Sequence, residues 1–195
     1  MLFRSVSQSR YIGSTLASIS VYSEVAKSST VPKTKDILDK IGESSREIQE
    51  NLNDIVWSIQ SDNDKIQNFE ERIRNYAGNV LTSAGIGFNL HSTIGSQRKN
   101  MDIERKRNLF LIFKESLNNA IKYSNCSEIN VHLTLDHDKL KMVIEDNGIG
   151  FDPESYTAYN GNGLKSMKKR ADTIHASLSI ESRPGYGVKI KVEEL

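Results

Sequence analysis

The chain has 195 residues, which is enough for one large domain or two small ones with a buried core. Its 26 Lys and Arg residues balance 25 Asp and Glu residues, and the net charge of +1 favours neither nucleic acid nor an acidic surface as a partner. The single cysteine excludes an internal disulfide framework and a cysteine-built zinc site. No apolar run is long enough to be a membrane segment in this chain. We therefore expect a globular, cytoplasmic protein with no nucleic-acid partner.

Two amphipathic helices are predicted at the start of the chain. Apolar residues between Ile12 and Ala26 recur at helical spacing, and the segment KSSTVPKT then interrupts the pattern. A second apolar series is close to a heptad repeat: Ile37, Ile41, Ile48, Leu52, Ile55 and Ile59. The two helices predict an antiparallel hairpin whose apolar stripe needs a cover. We expect a homodimer in which two hairpins form a four-helix bundle; the alternative is that the hairpin packs on the rest of its own chain.

The polar segment SDNDK, residues 61–65, indicates a boundary between a helical hairpin, 1–61, and a second domain, 62–195. In the second domain the apolar spacing predicts helices over 66–84, 102–123 and 163–175, the second with Asp102 as its N-cap. Period-two alternation predicts five strands, at 88–91, 129–135, 140–144, 178–181 and 187–192. This order predicts an α+β fold, a two-layer α/β sandwich with a mixed sheet.

The helix around residue 119 carries a polar stripe on an otherwise apolar element. Glu115, Asn119 and Lys122 follow each other at intervals of four and three, so an α-helix places them on one face. An amide oxygen suits Mg2+, and a lysine suits a phosphate group. The stripe therefore predicts a ligand site rather than a solvated surface.

Two glycine-rich segments complete the candidate site. Asp146-Asn-Gly148-Ile-Gly150 directly follows a predicted strand, where the glycines allow backbone to approach a ligand and the carboxylate can accept a hydrogen bond from an exocyclic amine. Gly161-Asn-Gly163-Leu164 opens the last predicted helix, whose free N–H groups and dipole favour phosphate. Each motif alone is weak, but the three together in this order predict a nucleotide site.

In these motifs the chain resembles the sensor histidine kinases of two-component systems. Residues 100–195 look like their ATP-binding catalytic domain, the fold shared with gyrase, Hsp90 and MutL. The Glu115–Tyr123 helix resembles the family's N box, DNGIG (146–150) its G1 box and GNGL (161–164) its G2 box. IGSTLASI (12–19) and SSREIQENLNDIVWSI (44–59) resemble the dimerisation and phosphotransfer helices of the subgroup with a short ATP lid.

The resemblance implies roles for individual residues. Asp146 would bind the adenine amino group and Asn119 would ligate Mg2+, while Glu115 would orient the hydration shell of the ion as the catalytic residue. Lys122, Tyr123 and Leu164 would line the nucleotide site, and the glycines would shape the pocket and lid: Gly148, Gly150, Gly161 and Gly163. The γ-phosphoryl group of ATP would pass to a bundle histidine and then to an aspartate on the receiver domain of a response regulator.

One position departs from the family pattern. The family's phosphoacceptor histidine is expected three residues before Ile12, and Ser9 stands there, followed by Arg10. No histidine precedes His91. We therefore expect no self-phosphorylation at the usual position, since a serine lacks the imidazole nitrogen that acts as acceptor at neutral pH. Two explanations stay open: the residues before Ile12 are foreign to a kinase, or a natural protein has lost its acceptor.

Three functions are consistent with the sequence. The first is the transmitter core of a histidine kinase, a transferase in a phosphorelay, which is cytoplasmic or the cytoplasmic part of a membrane-bound sensor. The second is an ATP-dependent dimeric pseudokinase that acts as an interaction scaffold. The third is a serine kinase of the anti-sigma type, which shares the ATP fold but lacks a dimerisation hairpin; the Ile41–Ile59 apolar series argues against it.

Overall fold

The computed structural model describes residues 66–94, 100–137, 139–152 and 162–194 continuously. It also describes ten residues nearer the start of the chain, all of them helical: 19, 21–23, 37, 38, 41, 45, 48 and 52. The chain divides into two compact units, Met1–Trp57 and Ser58–Leu195. None of the helices in the described part of the chain has the length and apolar character needed to cross a membrane.

In the first unit, four residues of the predicted apolar series are described: Ile37, Ile41, Ile48 and Leu52. Ile48 is buried, whereas Leu52 is exposed, as are the helical residues Val21 and Leu38. Ile55 and Ile59 lie outside the described residues, and so does Ser9. The hairpin and its pairing into a bundle therefore stay predictions.

The second unit is an α/β sandwich of two layers. Its elements are α1 (Ile66–Ala84), β1 (Gly87–Ser92), α2 (Ile103–Asn119), a π-helical turn (Ala120–Ser124), β2 (Glu128–Asp136), β3 (Lys139–Asp146), α3 (Asn162–Thr173), β4 (Ala176–Ser182) and β5 (Val188–Glu194). The five strands form one sheet in the order β1-β2-β3-β5-β4. Strands β1 and β2 are parallel and the other neighbours are antiparallel. The predicted fold class, with its mixed sheet, is confirmed.

The core lies between one face of the sheet and the helices. Alternate strand residues such as Val131, Met142 and Val192 are fully buried, as the period of two requires. Helix α1 buries Ile66, Phe69, Ile73, Ala77 and Leu81, which share one helical face. The opposite face of the sheet is polar and carries cross-strand ion pairs, among them Lys189 with Glu145 at 2.7 Å. The sequence therefore specifies a sheet with one covered face.

Helix α2 begins where the sequence predicts. Asp102 Oδ1 accepts hydrogen bonds from the backbone N–H groups of Glu104, at 2.9 Å, and Arg105, at 3.0 Å, so Asp102 is its N-cap. The Arg105 side chain forms a two-pronged ion pair with Glu194 at the end of β5. Glu194 also accepts a hydrogen bond from the Leu140 backbone N–H at 2.5 Å, which joins the start of α2 to two strands.

The end of this helix differs from the prediction of one α-helix over 102–123. The α-helical hydrogen bonding ends at Asn119, and residues Ala120–Ser124 form a π-helical turn. Asn125 then adopts a left-handed conformation with φ of 51°, which stops the helix. A π-helical turn has hydrogen bonds from residue i to residue i+5, and such turns inside α-helices are frequent at functional sites. Lys122 and Tyr123 lie in this turn. The prediction that Glu115, Asn119 and Lys122 share one face of a regular α-helix therefore does not hold at Lys122.

Candidate functional site

The polar end of α2 lies against the start of α3. Glu115 and Asn119 are partly buried and one helical turn apart. A Cβ atom added to Gly163 would overlap Glu115 Oε1, and would lie 3.1 Å from Glu115 Cδ and 3.7 Å from Asn119 Nδ2. The second glycine of GNGL is therefore in close contact with the polar stripe that the sequence singled out. The structure brings these two motifs together.

The start of α3 presents backbone N–H groups at this contact. The helix begins at Asn162, and Gly163 and Leu164 are in its first turn, both partly buried. The first N–H groups of a helix have no partner within the helix and carry its positive dipole end. Gly161 lies outside the described residues. The turn could hold a phosphate group beside Glu115 and Asn119.

Asp146 ends strand β3, at a position paired with Val188 on β5. Its Oδ1 accepts a hydrogen bond from the Gly148 backbone N–H at 2.9 Å. Burial raises the pKa of Asp146 above its usual value, and hydrogen bonds from the backbone of Gly148 and Val188 oppose that rise. A half-buried carboxylate at the end of a strand, already aligned by backbone donors, is suited to accept a further hydrogen bond from a ligand amine.

The loop after Asp146 packs directly on the π turn of α2. The Ile149 backbone N–H donates to Ser124 O at 2.7 Å. Gly148 is buried, and a Cβ atom there would overlap Ser124 O and lie 2.6 Å from Ser124 Cβ. Only glycine permits this approach. The contact joins the DNGIG loop to the helix that carries Glu115 and Asn119.

The turn between β4 and β5 closes the same loop from the other side. The Gly185 backbone N–H donates to Ile149 O at 2.7 Å, and the Phe151 backbone N–H donates to Ser182 Oγ at 2.8 Å. Gly187 has φ of 76°, and a Cβ atom there would overlap Asp146 O. The segment SRPGYG, residues 182–187, thus holds Asp146, Ile149 and Phe151 in place.

Asn147 has a structural task that sequence reasoning missed. Its Oδ1 accepts hydrogen bonds from the backbone N–H groups of Ser127, at 2.9 Å, and Glu128, at 3.0 Å. Its Nδ2 donates to Ser127 Oγ at 2.9 Å. The side chain therefore fastens the loop to the start of β2. The available signal was the known tendency of asparagine side chains to bond to backbone in turns, but the partners are about 20 residues away in sequence.

Two predicted site residues face solvent. Lys122 is exposed, and 66% of Tyr123 is exposed. Both lie in the π turn, between Asn119 and Ser124. Their exposure leaves them accessible to a ligand. Ser9 and Gly161 are outside the described residues, so the structure does not bear on them.

The donor groups at the site suit a hard cation that takes most of its coordinating oxygens from a bound phosphorylated ligand. Within the described ranges, no group of three or more His, Cys, Asp or Glu residues is arranged to hold a metal ion. Glu115 instead places a carboxylate oxygen at the glycine contact at position 163, and the side-chain amide of Asn119 lies beside it, with Nδ2 3.7 Å from the Cβ position. Mg2+ prefers oxygen ligands and is commonly held by one or two protein groups together with substrate phosphates. These residues fit Mg2+ bound with a phosphorylated ligand.

Residues 104–195 match the family described as histidine kinase-, DNA gyrase B-, and HSP90-like ATPase. The chain is similar to the sensor histidine kinase ComP of Bacillus subtilis (strain 168), with 30% identity over 109 residues; the match covers 55% of this chain and 14% of ComP. It is also similar to the signal transduction histidine-protein kinase/phosphatase DegS of the same organism, with 36% identity over 87 residues, 44% of this chain and 23% of DegS.

A solved structure gives the same fold. The histidine kinase domain of the Erythrobacter litoralis EL346 blue-light activated histidine kinase has a TM-score of 0.59 and 15% sequence identity, over 93% of this chain and 94% of that one. At this identity the likeness concerns the fold alone. The chain spans well under half the length of the curated relatives it matches.

Proposed function

We propose that the chain is the ATP-binding transmitter core of a two-component sensor histidine kinase, because residues 104–195 match the family described as histidine kinase-, DNA gyrase B-, and HSP90-like ATPase. The proposed activity is transfer of the γ-phosphoryl group of ATP to a bundle histidine, with a response regulator as the final acceptor. ComP, one of the proteins that the chain is similar to, is named as a sensor histidine kinase.

One observation carries the proposal: three separate segments meet at one place. Gly163 at the start of α3 lies against Glu115 and Asn119 on α2. Gly148 lies against Ser124, the last residue of the π turn. The contact through Ser124 joins Asp146 at one end of the site to Asn119 at the other. This arrangement supports a ligand with a polar base near Asp146 and phosphates near Asn119.

Each end of the site has a proposed task. Asp146 accepts a hydrogen bond from the adenine amino group, because its carboxylate is half-buried and aligned by the Gly148 N–H. Asn119 holds Mg2+, and Glu115 orients the water around it. Bound Mg2+ neutralises charge on the phosphate oxygens. Tyr123, Lys122 and the first N–H groups of α3, at Gly163 and Leu164, line the phosphate and ribose end.

The proposed reaction is a phosphoryl transfer in which the protein supplies position and charge. The bond between the γ-phosphorus and the bridging oxygen of ADP breaks, and a bond from phosphorus to an imidazole nitrogen forms. The phosphoryl group then moves from that nitrogen to an aspartate on the receiver domain of a response regulator. Because Ser9 stands at the expected histidine position, this chain does not phosphorylate itself there. The acceptor histidine comes from a different chain, since residues 1–61 contain no histidine and a bundle of two copies therefore has none.

The first unit is proposed to form a homodimer through a four-helix bundle. Val21 is 60% exposed, Leu38 56% and Leu52 43%, although all three are helical. A second copy of the hairpin would bury such apolar side chains. A cytoplasmic location, as a free protein or as the cytoplasmic part of a membrane-bound sensor, belongs to the same proposal.

The absent histidine favours a second candidate, a pseudokinase scaffold that binds ATP and controls a partner without transferring phosphate. The two functions are separated by restoring the acceptor. We propose to incubate the full chain with Mg2+ and ATP labelled at the γ-phosphate, beside a Ser9→His/Arg10→Glu variant and the same variant with Asp146→Asn. Acid-labile label on the first variant alone is the expected result for a kinase core.

The other outcomes are equally informative. Acid-labile label on the unchanged chain would contradict the predicted loss of self-phosphorylation. If the Ser9→His/Arg10→Glu variant binds Mg-ATP and stays unlabelled, the scaffold becomes the better account. Label that persists after Asp146→Asn would contradict the role of the carboxylate in holding ATP.

A further inference from the structure

Beyond the proposed roles of Asp146 and Asn119, one buried hydroxyl group lies between them. Ser124 is 5% exposed and ends the π turn. Its Oγ donates to Ala120 O at 2.7 Å and accepts from the Cys126 backbone N–H at 3.1 Å. The first bond spans the π turn, and the second fixes the chain as it leaves the turn toward β2. The hydroxyl therefore determines where the Ser124 backbone lies.

That backbone is the support of the DNGIG loop. Ser124 O accepts the hydrogen bond from the Ile149 N–H, at 2.7 Å. The same carbonyl lies so near the Gly148 Cα that no side chain fits between them. Gly148 in turn donates to Asp146 Oδ1. A shift of the Ser124 carbonyl would move Gly148 and with it the donor that aligns the Asp146 carboxylate.

We infer that Ser124 is a positioning residue that sets the distance between the two ends of the nucleotide site. The inference rests on the proposed function and adds a residue to it. Ser124 touches no ligand in this account: it acts through the carbonyl that supports Gly148 and through the turn that carries Lys122 and Tyr123. The π turn ends at Ser124, and the carbonyl of this residue contacts the loop.

The chain contains a matched control for this residue. Ser116 lies on the same helix, is 3% exposed, and donates from Oγ to Ile112 O, four residues back, at 2.9 Å. Its hydroxyl also lies 3.6 Å from Met167 Sδ. Ser116→Ala therefore removes the same kind of buried hydroxyl and the same local bond without touching the DNGIG loop. Gly148→Ala is a second test variant, because its added methyl group would overlap the Ser124 carbonyl oxygen.

The experiment uses the full chain and two measurements. Calorimetry gives the Kd for Mg-ATP, and amide hydrogen exchange gives the protection of residues 147–151 and of the core strand β2. In Ser124→Ala we expect the Kd to rise about tenfold, as the loss of one buried hydrogen bond allows. Protection should fall in 147–151 and stay unchanged in β2. Gly148→Ala should show the same pattern, and Ser116→Ala should leave both the Kd and the loop protection unchanged.

The outcomes separate this inference from the function it rests on. If the unchanged chain binds Mg-ATP and Ser124→Ala binds it equally well, the inference is overturned and the proposed function stands. If Ser124→Ala weakens protection throughout β2 to the same extent as in the loop, Ser124 has a general structural role and the inference is overturned. If the unchanged chain does not bind Mg-ATP, the proposed function fails and the inference fails with it.

Discussion

Gly163, in the first turn of α3, packs against the carboxylate of Glu115 near the end of α2. A Cβ atom at position 163 would overlap Glu115 Oε1 and lie 3.1 Å from its Cδ. The contact therefore depends on the absence of a side chain at this position. It places the first turn of α3 beside the Glu115 carboxylate and the Asn119 side-chain amide, the two groups that fit Mg2+.

Gly163→Ala tests this contact. The atom that a new methyl group would meet is the end of a flexible side chain, so Glu115 can rotate away and the fold can be kept. We expect the affinity for Mg-ATP to fall about tenfold because the oxygen donors move, with only a small change in thermal stability. Calorimetry and thermal unfolding give the two values.

Gly78→Ala is the matched control for Gly163→Ala. Gly78 lies within α1, and a Cβ atom there meets nothing within 4 Å. Replacing a helical glycine by alanine stabilises by about 0.5–1 kcal/mol, so this variant should be slightly more stable and bind Mg-ATP normally. Unchanged affinity in Gly163→Ala would contradict the placement of α3 at the phosphate end.

The turn between β4 and β5 offers a second comparison, between Gly187 and Gly185. Both have positive φ, 76° and 83°. A Cβ atom at Gly187 would overlap Asp146 O and lie 2.9 Å from Asp146 C, whereas at Gly185 it meets nothing within 4 Å. Gly185→Ala should therefore lower the free energy of unfolding by about 1 kcal/mol, the conformational cost alone. Gly187→Ala should lower it by about 3 kcal/mol or more. Urea unfolding measures both, and equal losses would show that the contact with Asp146 is not restrictive.

Asp146 should make the stability of the free protein depend on pH. Because burial raises its pKa, the folded state binds this proton more tightly than the unfolded state does. The free energy of unfolding therefore falls as pH rises from the ordinary pKa of an aspartate through the raised value. Below both pKa values Asp146 is protonated, and the cost of burying its charge is absent. Asp146→Asn removes the cost, so this variant should be more stable than the unchanged chain at neutral pH, with the difference vanishing near about pH 3.

The measurement is urea unfolding of both proteins across this pH range. Asp172→Asn serves as control, because Asp172 is an exposed carboxylate on α3 that pairs with Lys168 at 3.0 Å. An exposed pair contributes little, so this control should change stability slightly and downward. An Asp146→Asn variant that is less stable than the unchanged chain at neutral pH would show that hydrogen bonding to the carboxylate outweighs its burial.

Much of the fold follows from local patterns. The apolar spacing of α1 predicts its range, 66–84, as observed, and the capping carboxylate of Asp102 marks the start of α2. The alternation in β2 and β3 predicts both strands, although both are longer than predicted. β2 extends one residue further at each end, and β3 begins one residue earlier, at Lys139, and ends two residues later, at Asp146. These signals are local, so a sequence pattern is sufficient to detect them.

The parts that could not be predicted depend on contacts between distant residues. The π turn was missed because Ala120 and Ile121 continue the apolar spacing of an α-helix, while the contact that accompanies the turn, from Ser124 to Gly148, joins residues 24 apart in sequence. The binding of Asn147 to Ser127 and Glu128 was missed for the same reason. The motifs predict candidate site residues, and the packing determines how those residues are held.

Binding of Mg-ATP tests the central claim most directly. Calorimetry on the full chain, on Asp146→Asn, on Asn119→Asp and on the control Asp172→Asn should give a Kd in roughly the micromolar range for the unchanged chain and the control. Binding should be lost in Asp146→Asn and Asn119→Asp, because each removes the group proposed at one end of the nucleotide. No binding by a folded, unchanged chain would contradict the account, and so would binding that survives both substitutions.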